Sequence, residues 1–341
     1  MKLRLTLVVV ALALAVVPLP APAVEHYYSQ GIYPTLQTSL TGASNMLPIA
    51  LLDVVAALLL LTGIVGALRV AGWRPRLAWV ASRLASTAAV VYISFILLWG
   101  LNYQRERLET KVAFDPARVT RASLVRLAND AVRRANKGHR AASAEPLDVS
   151  SLERTFSDVV LALGAPQPPR VGVPKLSLLS PYFRRAAIDG MTAPWFLEII
   201  LNPDLLPSER PSVLAHEWAH LAGYAHESEA NFVAWLTCRR GDAASQYSAA
   251  LATYGHASAQ LSRDDRRSLI AFDAGPREDL QAIRERYERA TPLVRDAARD
   301  VYDSYLKANR VEEGLASYDA VVRLMLGTDF TSDGVPRLRP R

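Results

Sequence analysis

The sequence predicts a mainly α-helical protein, in which N-terminal transmembrane helices precede an α-rich α+β soluble domain with a small sheet. Half of the residues are hydrophobic, and two long apolar stretches lie within the first 101 positions. From Pro116 onward, apolar residues recur every three or four positions, which is typical of helices that bury one face. The apolar run 196–201 is the best candidate strand, and it is the reason to expect a sheet.

Three stretches near the N-terminus are candidate membrane segments. Residues 1–24 read as a signal peptide or a first membrane span, because a charged start precedes an apolar run and a Pro- and Ala-rich end. The segments 47–68 and 84–101 are predicted transmembrane helices. Asp53 lies within the first of these, where an acidic residue indicates either a functional role or a position near the membrane surface.

The orientation follows from the arginines between the two predicted helices. Four of them lie there, and the stretch before residue 47 has no Lys or Arg after Arg4, so the short connecting loop is expected in the cytoplasm. Residues 105–326 are then predicted to form an extracytoplasmic domain at the cytoplasmic (inner) membrane. Residues 327–341 are expected to be a flexible tail, because they are polar and contain proline.

Overall charge and cysteine content narrow the classes of partner. The net charge of +6 comes from arginines spread along helices, which favours acidic lipid headgroups over nucleic acid as a counterpart. A single cysteine, Cys238, excludes an internal disulfide and a cysteine-based zinc cluster. The sequence does not indicate an oligomeric state.

The segment His216–Glu217–Trp218–Ala219–His220 is the H-E-x-x-H motif of zinc enzymes. On a helix, positions i and i+4 lie one above the other, so His216 and His220 can bind one Zn²⁺ ion. Glu217 lies about 100° around the helix, given 3.6 residues per turn, where it can take a proton from the attacking water. The motif predicts a zincin-like domain with Glu217 as the catalytic base.

Three residues compete to be the third metal ligand. His226 completes the longer H-E-x-x-H-x-x-G-x-x-H spacing with Gly223, but the sequence has no convincing Met-turn to accompany it. Glu227 and Glu229 begin a second predicted helix, and Glu227 lies on its stripe of small side chains, which permits close approach to the motif helix. We therefore rank Glu227 first, Glu229 second and His226 third.

Four stretches resemble a family of bacterial membrane proteins known as a domain of unknown function with a zincin-like motif: 27–34, 99–105, 215–238 and 317–319. The resemblance implies three N-terminal membrane spans and a metallohydrolase domain. It also implies that the two glutamates, rather than a histidine at position 226, belong to the family pattern.

These observations predict a zinc-dependent metallopeptidase that hydrolyses a peptide or protein substrate at the outer face of the membrane. The strand 196–201 is a candidate edge for strand addition by the substrate, or else a short buried strand. Candidate donors to the oxyanion are Tyr318, His256 and Tyr224. The alternative is a non-catalytic membrane-anchored module, in which His216, His220, His226 and one glutamate would close a structural zinc site.

Overall fold

The computed structural model describes residues 2–311 and 320–340, which form a mainly helical protein with one two-stranded sheet. The N-terminal part contains α1 (Lys2–Val16), α2 (Ala21–Ala23), a π-helix (Val24–Ile32), α3 (Tyr33–Asn45), α4 (Leu51–Arg69) and α5 (Trp73–Leu98). A 3₁₀ turn at Gly100–Gln104 leads into the remaining elements, which are α6 (Leu108–Lys111), a second 3₁₀ turn (Pro116–Arg118), α7 (Arg121–Ala144), α8 (Val149–Ala162), α9 (Ser180–Ala186), β1 (Gly190–Ala193), β2 (Glu198–Leu201), α10 (Arg210–Leu221), α11 (Glu227–Arg240), α12 (Ala243–Ala259), α13 (Arg263–Arg267), α14 (Ala274–Glu288), α15 (Pro292–Ala308) and α16 (Ala320–Gly327).

Within the described residues, α4 and α5 are long and apolar enough to cross a membrane, with mean hydropathies of 2.5 and 1.7. The pair Thr6–Val16 and Ala21–Asn45 is bent by 111° and adds a third candidate span if it is counted as one. Helix α5 begins at Trp73, well before residue 84, so Arg74, Arg76 and Arg83 lie on this helix rather than in the loop expected from the sequence. Asp53 lies in the first turn of α4 rather than deep within it.

Residues 21–45 are helical and pack against the domain that follows residue 105. The face of α3 formed by Tyr33, Gln37, Thr41 and Ser44 is buried, with the spacing of one helix side. The Tyr33 hydroxyl donates to Leu221 O at 2.7 Å, and the Thr41 hydroxyl donates to Leu197 O at 2.8 Å. The folded unit predicted over 105–326 therefore also includes this N-terminal segment.

The sheet is an antiparallel hairpin in which Gly190 pairs with Leu201 and Ala193 pairs with Glu198. Its second strand is shorter than the predicted run 196–201, because Leu197 has a φ of 45° and belongs to the connecting turn. Every residue of β2 is buried. Its other edge is covered at residue 175, where Lys175 N donates to Ile199 O at 3.0 Å. The open edge of the hairpin is consequently β1, which was not identified as a strand from the sequence.

Helices α10 and α11 form the centre of the domain. Helix α11 is buried on nearly all sides and packs against α10, α12, α8 and α16. The largest fully buried side chains of this core include Trp218, Phe156 and Phe232. Such an all-round contact fits the sequence of α11, in which small and bulky apolar residues alternate around the helix.

Residues 328–340, predicted as part of a flexible tail, run back along the segment after α6. Phe114 pairs with Thr328 and Val112 with Leu338 in isolated antiparallel bridges. Arg339 N also donates to Lys111 O at 2.8 Å. This stretch is held by backbone hydrogen bonds, which do not require apolar side chains. A polar sequence can therefore be ordered here.

Candidate metal centre

Helix α10 places the two motif histidines one turn apart on a single face. His216 Nε2 and His220 Nε2 are 3.1 Å apart, and the rings meet edge to face. The helix ends in a Schellman motif, in which Gly223 N donates to His220 O at 3.0 Å and Tyr224 N donates to Ala219 O at 3.0 Å. Gly223 has a φ of 86°, the left-handed conformation that this turn requires. The turn sends the chain directly back past the histidines.

Glu227, the first residue of α11, is the acidic residue that meets them. Its Oε2 atom lies 3.2 Å from His216 Nε2, and its Oε1 atom lies 3.5 Å from His220 Nε2. Among the described residues, these three form the one cluster of metal-ligand type, with ligand atoms within 4.8 Å of one another. Zinc–nitrogen and zinc–oxygen bonds of about 2.0–2.2 Å put tetrahedral ligand atoms about 3.3 Å apart, so the spacing suits a single ion.

The other two candidate ligands are engaged elsewhere. Glu229 Oε1 pairs with Arg107 Nε at 3.0 Å and accepts from Leu108 N at 2.9 Å. His226 has its Nδ1 atom 2.6 Å from Arg107 Nη1 and its Nε2 atom 3.3 Å from Tyr103 O. Two residues along a helix correspond to about 200°, so Glu227 and Glu229 point to opposite sides of α11. Of the three candidates, only Glu227 faces the motif histidines.

Glu217 occupies a separate niche beside the two histidines, under strand β1. The Thr192 hydroxyl donates to Glu217 Oε2 at 2.8 Å and also lies 3.1 Å from Glu217 O. Gly190 leaves the space that the carboxylate fills, because a Cβ atom there would lie 2.6 Å from Glu217 Oε1. The β-hairpin thus holds Glu217 in place next to, and not within, the three-residue cluster.

The profile of the DUF3810 family, described as protein of unknown function, matches residues 28–326, which include α4, α5 and the whole of α10 and α11. The chain belongs to the DUF3810 family. Comparisons with curated proteins and with solved structures returned no match.

In this DUF3810 protein, side chains of the N-terminal part bind the backbone around the centre. The Trp99 indole donates to His220 O at 2.8 Å, and Arg105 donates to Gly223 O at 3.1 Å. His220 Nδ1 lies 2.8 Å from Tyr224 O. Since a carbonyl can only accept, Nδ1 carries a hydrogen, and Nε2 is the ring nitrogen directed at the cluster.

Burial and neighbouring charges determine the protonation states of the three-residue cluster and of Glu217. Burial lowers the pKa of His220, but the adjacent Glu227 carboxylate outweighs it and raises the pKa to about 9. Burial raises the pKa of Glu227, but His220 and His216 hold it well below its usual range. Glu217 differs, because burial raises its pKa despite the nearby histidines. Glu227 Oε2 and His216 Nδ1 are buried without a hydrogen-bond partner among the described residues.

The structure describes two of the three predicted oxyanion donors, His256 and Tyr224. Burial, followed by the charge of His216, lowers the pKa of His256 to about 4, so its imidazole is neutral at pH 7. The Tyr224 ring lies under the Arg105 guanidinium, 5.3 Å from the ring centre. Tyr318 lies outside the described residues, as does the rest of the 317–319 stretch.

Sequence reasoning missed Tyr302, which is on α15 and donates its hydroxyl hydrogen to Glu227 Oε1. Its ring stacks on that of Tyr305, 5.8 Å between centres. The two tyrosines are three residues apart on one face of an amphipathic helix, and this spacing is the only sequence signal that marks them.

Proposed function

We propose that this DUF3810 protein is a membrane-anchored zinc metallopeptidase that hydrolyses peptide bonds at the outer face of the cytoplasmic membrane. The observation that carries the proposal is the convergence of His216, His220 and Glu227 beside a separate buried carboxylate, Glu217. Three protein ligands leave one tetrahedral position for a reactant, as in hydrolytic zinc sites. Two imidazoles and a carboxylate are also ligand types that Zn²⁺ prefers.

A Zn²⁺ ion in this place would lower the pKa of water to about 7 and polarise the scissile carbonyl. The protein's own contribution is proton transfer by Glu217. Thr192 holds Oε2, and Gly190 lets the carboxylate lie close beneath β1. The carboxylate would accept the proton of the attacking water and return it to the leaving amine. Neutral His256 is the candidate donor to the developing oxyanion.

Strand β1 is the proposed edge for an extended substrate, replacing the strand expected from the sequence. Asn202 N donates to Asp189 O at 2.8 Å, so this pair is hydrogen-bonded, as are the alternate pairs at Met191 and Ala193. The backbone groups of Gly190 and Thr192 then point to the open edge. A peptide that pairs there would run past Glu217, which Thr192 binds.

The orientation in the membrane is part of the proposal. Helices α4 and α5 are joined by a short turn, and the arginines at 69, 74, 76 and 83 cluster at this end. Such clusters remain in the cytoplasm. The centre is near the opposite end of α5, where Trp99 binds His220 O.

The proposal is tested with the full-length protein in nanodiscs, by measuring bound zinc and casein hydrolysis with and without a chelator. Glu217→Gln is expected to keep zinc but to lose hydrolysis by about 10²-fold or more, the usual range for a general base. His220→Ala is expected to lose both. Glu278→Gln, a substitution of an exposed glutamate on α14, is the matched control and should retain both.

Full activity in Glu217→Gln would remove that residue from its role. Hydrolysis that the chelator leaves unchanged would refute the zinc mechanism. The alternative, a structural zinc site, needs four protein ligands. The position of His226 argues against a fourth protein ligand, because its Nδ1 atom contacts Arg107 Nη1 and its Nε2 atom contacts Tyr103 O. A bound zinc with four protein ligands, in a protein without hydrolase activity, would favour that alternative.

A further inference from the structure

Two apolar segments lie side by side where the soluble domain meets the outer end of α4. The segment before α4 runs along residues 171–178: Asn45 Oδ1 accepts from Val173 N at 2.9 Å, and Ile49 pairs with Leu176 in a parallel bridge. Asp53 completes the contact, because its carboxylate accepts from the Ser177 hydroxyl and from Leu178 N, each at 2.7 Å. The two segments thus form one continuous surface that is fixed to the first turn of α4.

This surface, which we call the apolar rim, exposes large apolar side chains: Met46, Leu47, Ile49, Val173, Leu176 and Leu178. Met46 is 83% exposed, Leu178 80% and Leu176 68%. The only charged residue within 46–50 and 173–178 is Lys175, and its ammonium group is buried against Glu198 Oε2 at 2.9 Å. The rim therefore presents apolar surface without an exposed charge.

The length of α4 places the rim at the membrane boundary. Helix α4 has 19 residues, about 28 Å at 1.5 Å per residue, which is close to the thickness of a bilayer's hydrocarbon core. The first turn of α4, to which the rim is fixed, therefore lies at one surface of that core, and the turn after Arg69 lies at the other.

We infer that the apolar rim lies in the lipid leaflet that faces the soluble domain, so that the domain rests on the bilayer rather than projecting from it. Its continuity with the first turn of α4 identifies lipid as the occupant, because the lipid that surrounds this turn also adjoins the rim. A large exposed apolar surface is costly in water and stable against acyl chains.

The rim also ties the candidate metal centre to the bilayer surface, because Lys175 N within the rim segment donates to Ile199 O of β2, the strand that pairs with β1 beside Glu217. The polypeptides within reach are then those at the membrane surface, a consequence that depends on the proposed function. The position of the rim does not depend on it.

The experiment places a single fluorophore on the full-length protein in nanodiscs through Leu178→Cys, Leu176→Cys or Ile270→Cys. Ile270 is an exposed apolar residue between α13 and α14 and serves as the matched control. The native Cys238 does not compete for the label, because burial raises the pKa of its thiol to about 12. Emission is measured with lipid-borne doxyl quenchers and, separately, with iodide in the water.

At positions 176 and 178, lipid quenchers are expected to remove most of the emission and iodide little, with the reverse at position 270. Equal quenching by iodide at all three positions would show that the rim faces water and would overturn the inference. Protection from both quenchers at 176 and 178 would also overturn it, since protein, such as a second copy, would then cover the rim. No outcome depends on hydrolysis, so this result and the proposed activity fail separately.

Discussion

Two buried clusters of charged groups flank the turn after α10, and they differ in how completely their groups are paired. In the first, Glu25 accepts from Arg105 Nε at 2.9 Å, from Arg105 Nη2 at 3.0 Å and from Lys111 Nζ at 2.7 Å. In the second, the Nε2 atoms of His216 and His220 converge on Glu227, and Glu227 Oε2 is buried without a hydrogen-bond partner among the described residues. The first is complete as it stands, whereas the second has the geometry of a site that an ion completes.

The difference separates a structural role from a chemical one. Burial raises the pKa of Glu25, but the hydrogen bonds and charges of Arg105 and Lys111 outweigh it and lower the pKa to about 2. The Arg105 guanidinium also reaches Gly223 O at 3.1 Å, so the paired cluster supports the turn that returns the chain to Glu227. The paired cluster is therefore expected to govern stability, and the incomplete one is expected to govern metal binding.

The largest effect is expected from Glu25→Gln, which leaves the buried Arg105 without its carboxylate. Breaking a buried ion pair from one side costs about 3–5 kcal/mol in the free energy of unfolding. The control is Glu109→Gln, which breaks the half-exposed Glu109–Arg323 pair of 3.2 Å and should cost less than about 1 kcal/mol. Thermal unfolding of the two variants in detergent measures the difference, and equal losses would contradict a structural role for the Glu25 cluster.

The next effect concerns zinc. Adding zinc at about 100 times its dissociation constant should stabilise the wild-type protein by about 2.7 kcal/mol, because it binds only the folded chain. Glu227→Gln is expected to lose this zinc-dependent rise in the melting temperature, since a neutral amide replaces the third ligand. Glu229→Gln, a change of the buried glutamate that pairs with Arg107, is expected to keep the rise. If the two variants behave in the opposite way, Glu229 is the ligand.

A third change acts on Glu217 without touching the ligands. In Gly190→Ala, the added methyl group would meet the Glu217 carboxylate, which can move because it is the flexible end of a side chain. Hydrolysis is expected to fall by about 10²-fold, as for a misplaced catalytic group, while zinc content and melting temperature stay near wild type. Gly255→Ala on α12 meets no neighbouring atom and should leave hydrolysis unchanged. Unchanged hydrolysis in Gly190→Ala would show that this contact does not position Glu217.

A further effect is the pH dependence of the Glu25 cluster in the wild-type protein. A pKa of about 2 in the folded state, below the ordinary 4.5, stabilises the fold fully above pH 4.5. This contribution is lost as the pH falls from 4.5 towards 2, when the unfolded carboxyl takes up a proton before the folded one. Denaturant unfolding at a series of pH values should show a shallower acid-induced loss in Glu25→Gln than in wild type, and parallel curves would argue against the pairing.

The sequence alone was sufficient for the parts of the centre that depend on local periodicity. Two histidines four residues apart must share a helix face, and the stripe of small residues on α11 identified Glu227 as the residue able to approach them. The helical class and the two apolar helices follow from composition and periodicity in the same way. Gly223 follows from turn chemistry, since its left-handed φ is a local requirement.

The parts that could not be predicted depend on contacts between distant segments. Tyr302 reaches Glu227 across 75 positions, and Thr192 reaches Glu217 across 25. Strand β1 has only four residues and lies between residues that favour turns, so its sequence carries little strand signal. The docking of α3 depends on small polar side chains such as Thr41, which become buried because backbone carbonyls of the domain accept their hydrogens.

The anchoring of the turn after α10 by Tyr33, Trp99 and Arg105 has a practical consequence for producing the protein. A water-soluble fragment that starts after Arg105 would lose the side-chain donors to the carbonyls of His220, Leu221 and Gly223. It would also expose the core residues that Tyr33 and Trp99 cover. The fragment is therefore expected to be less stable than the intact chain, and inactivity of the fragment would not count against activity of the full-length protein.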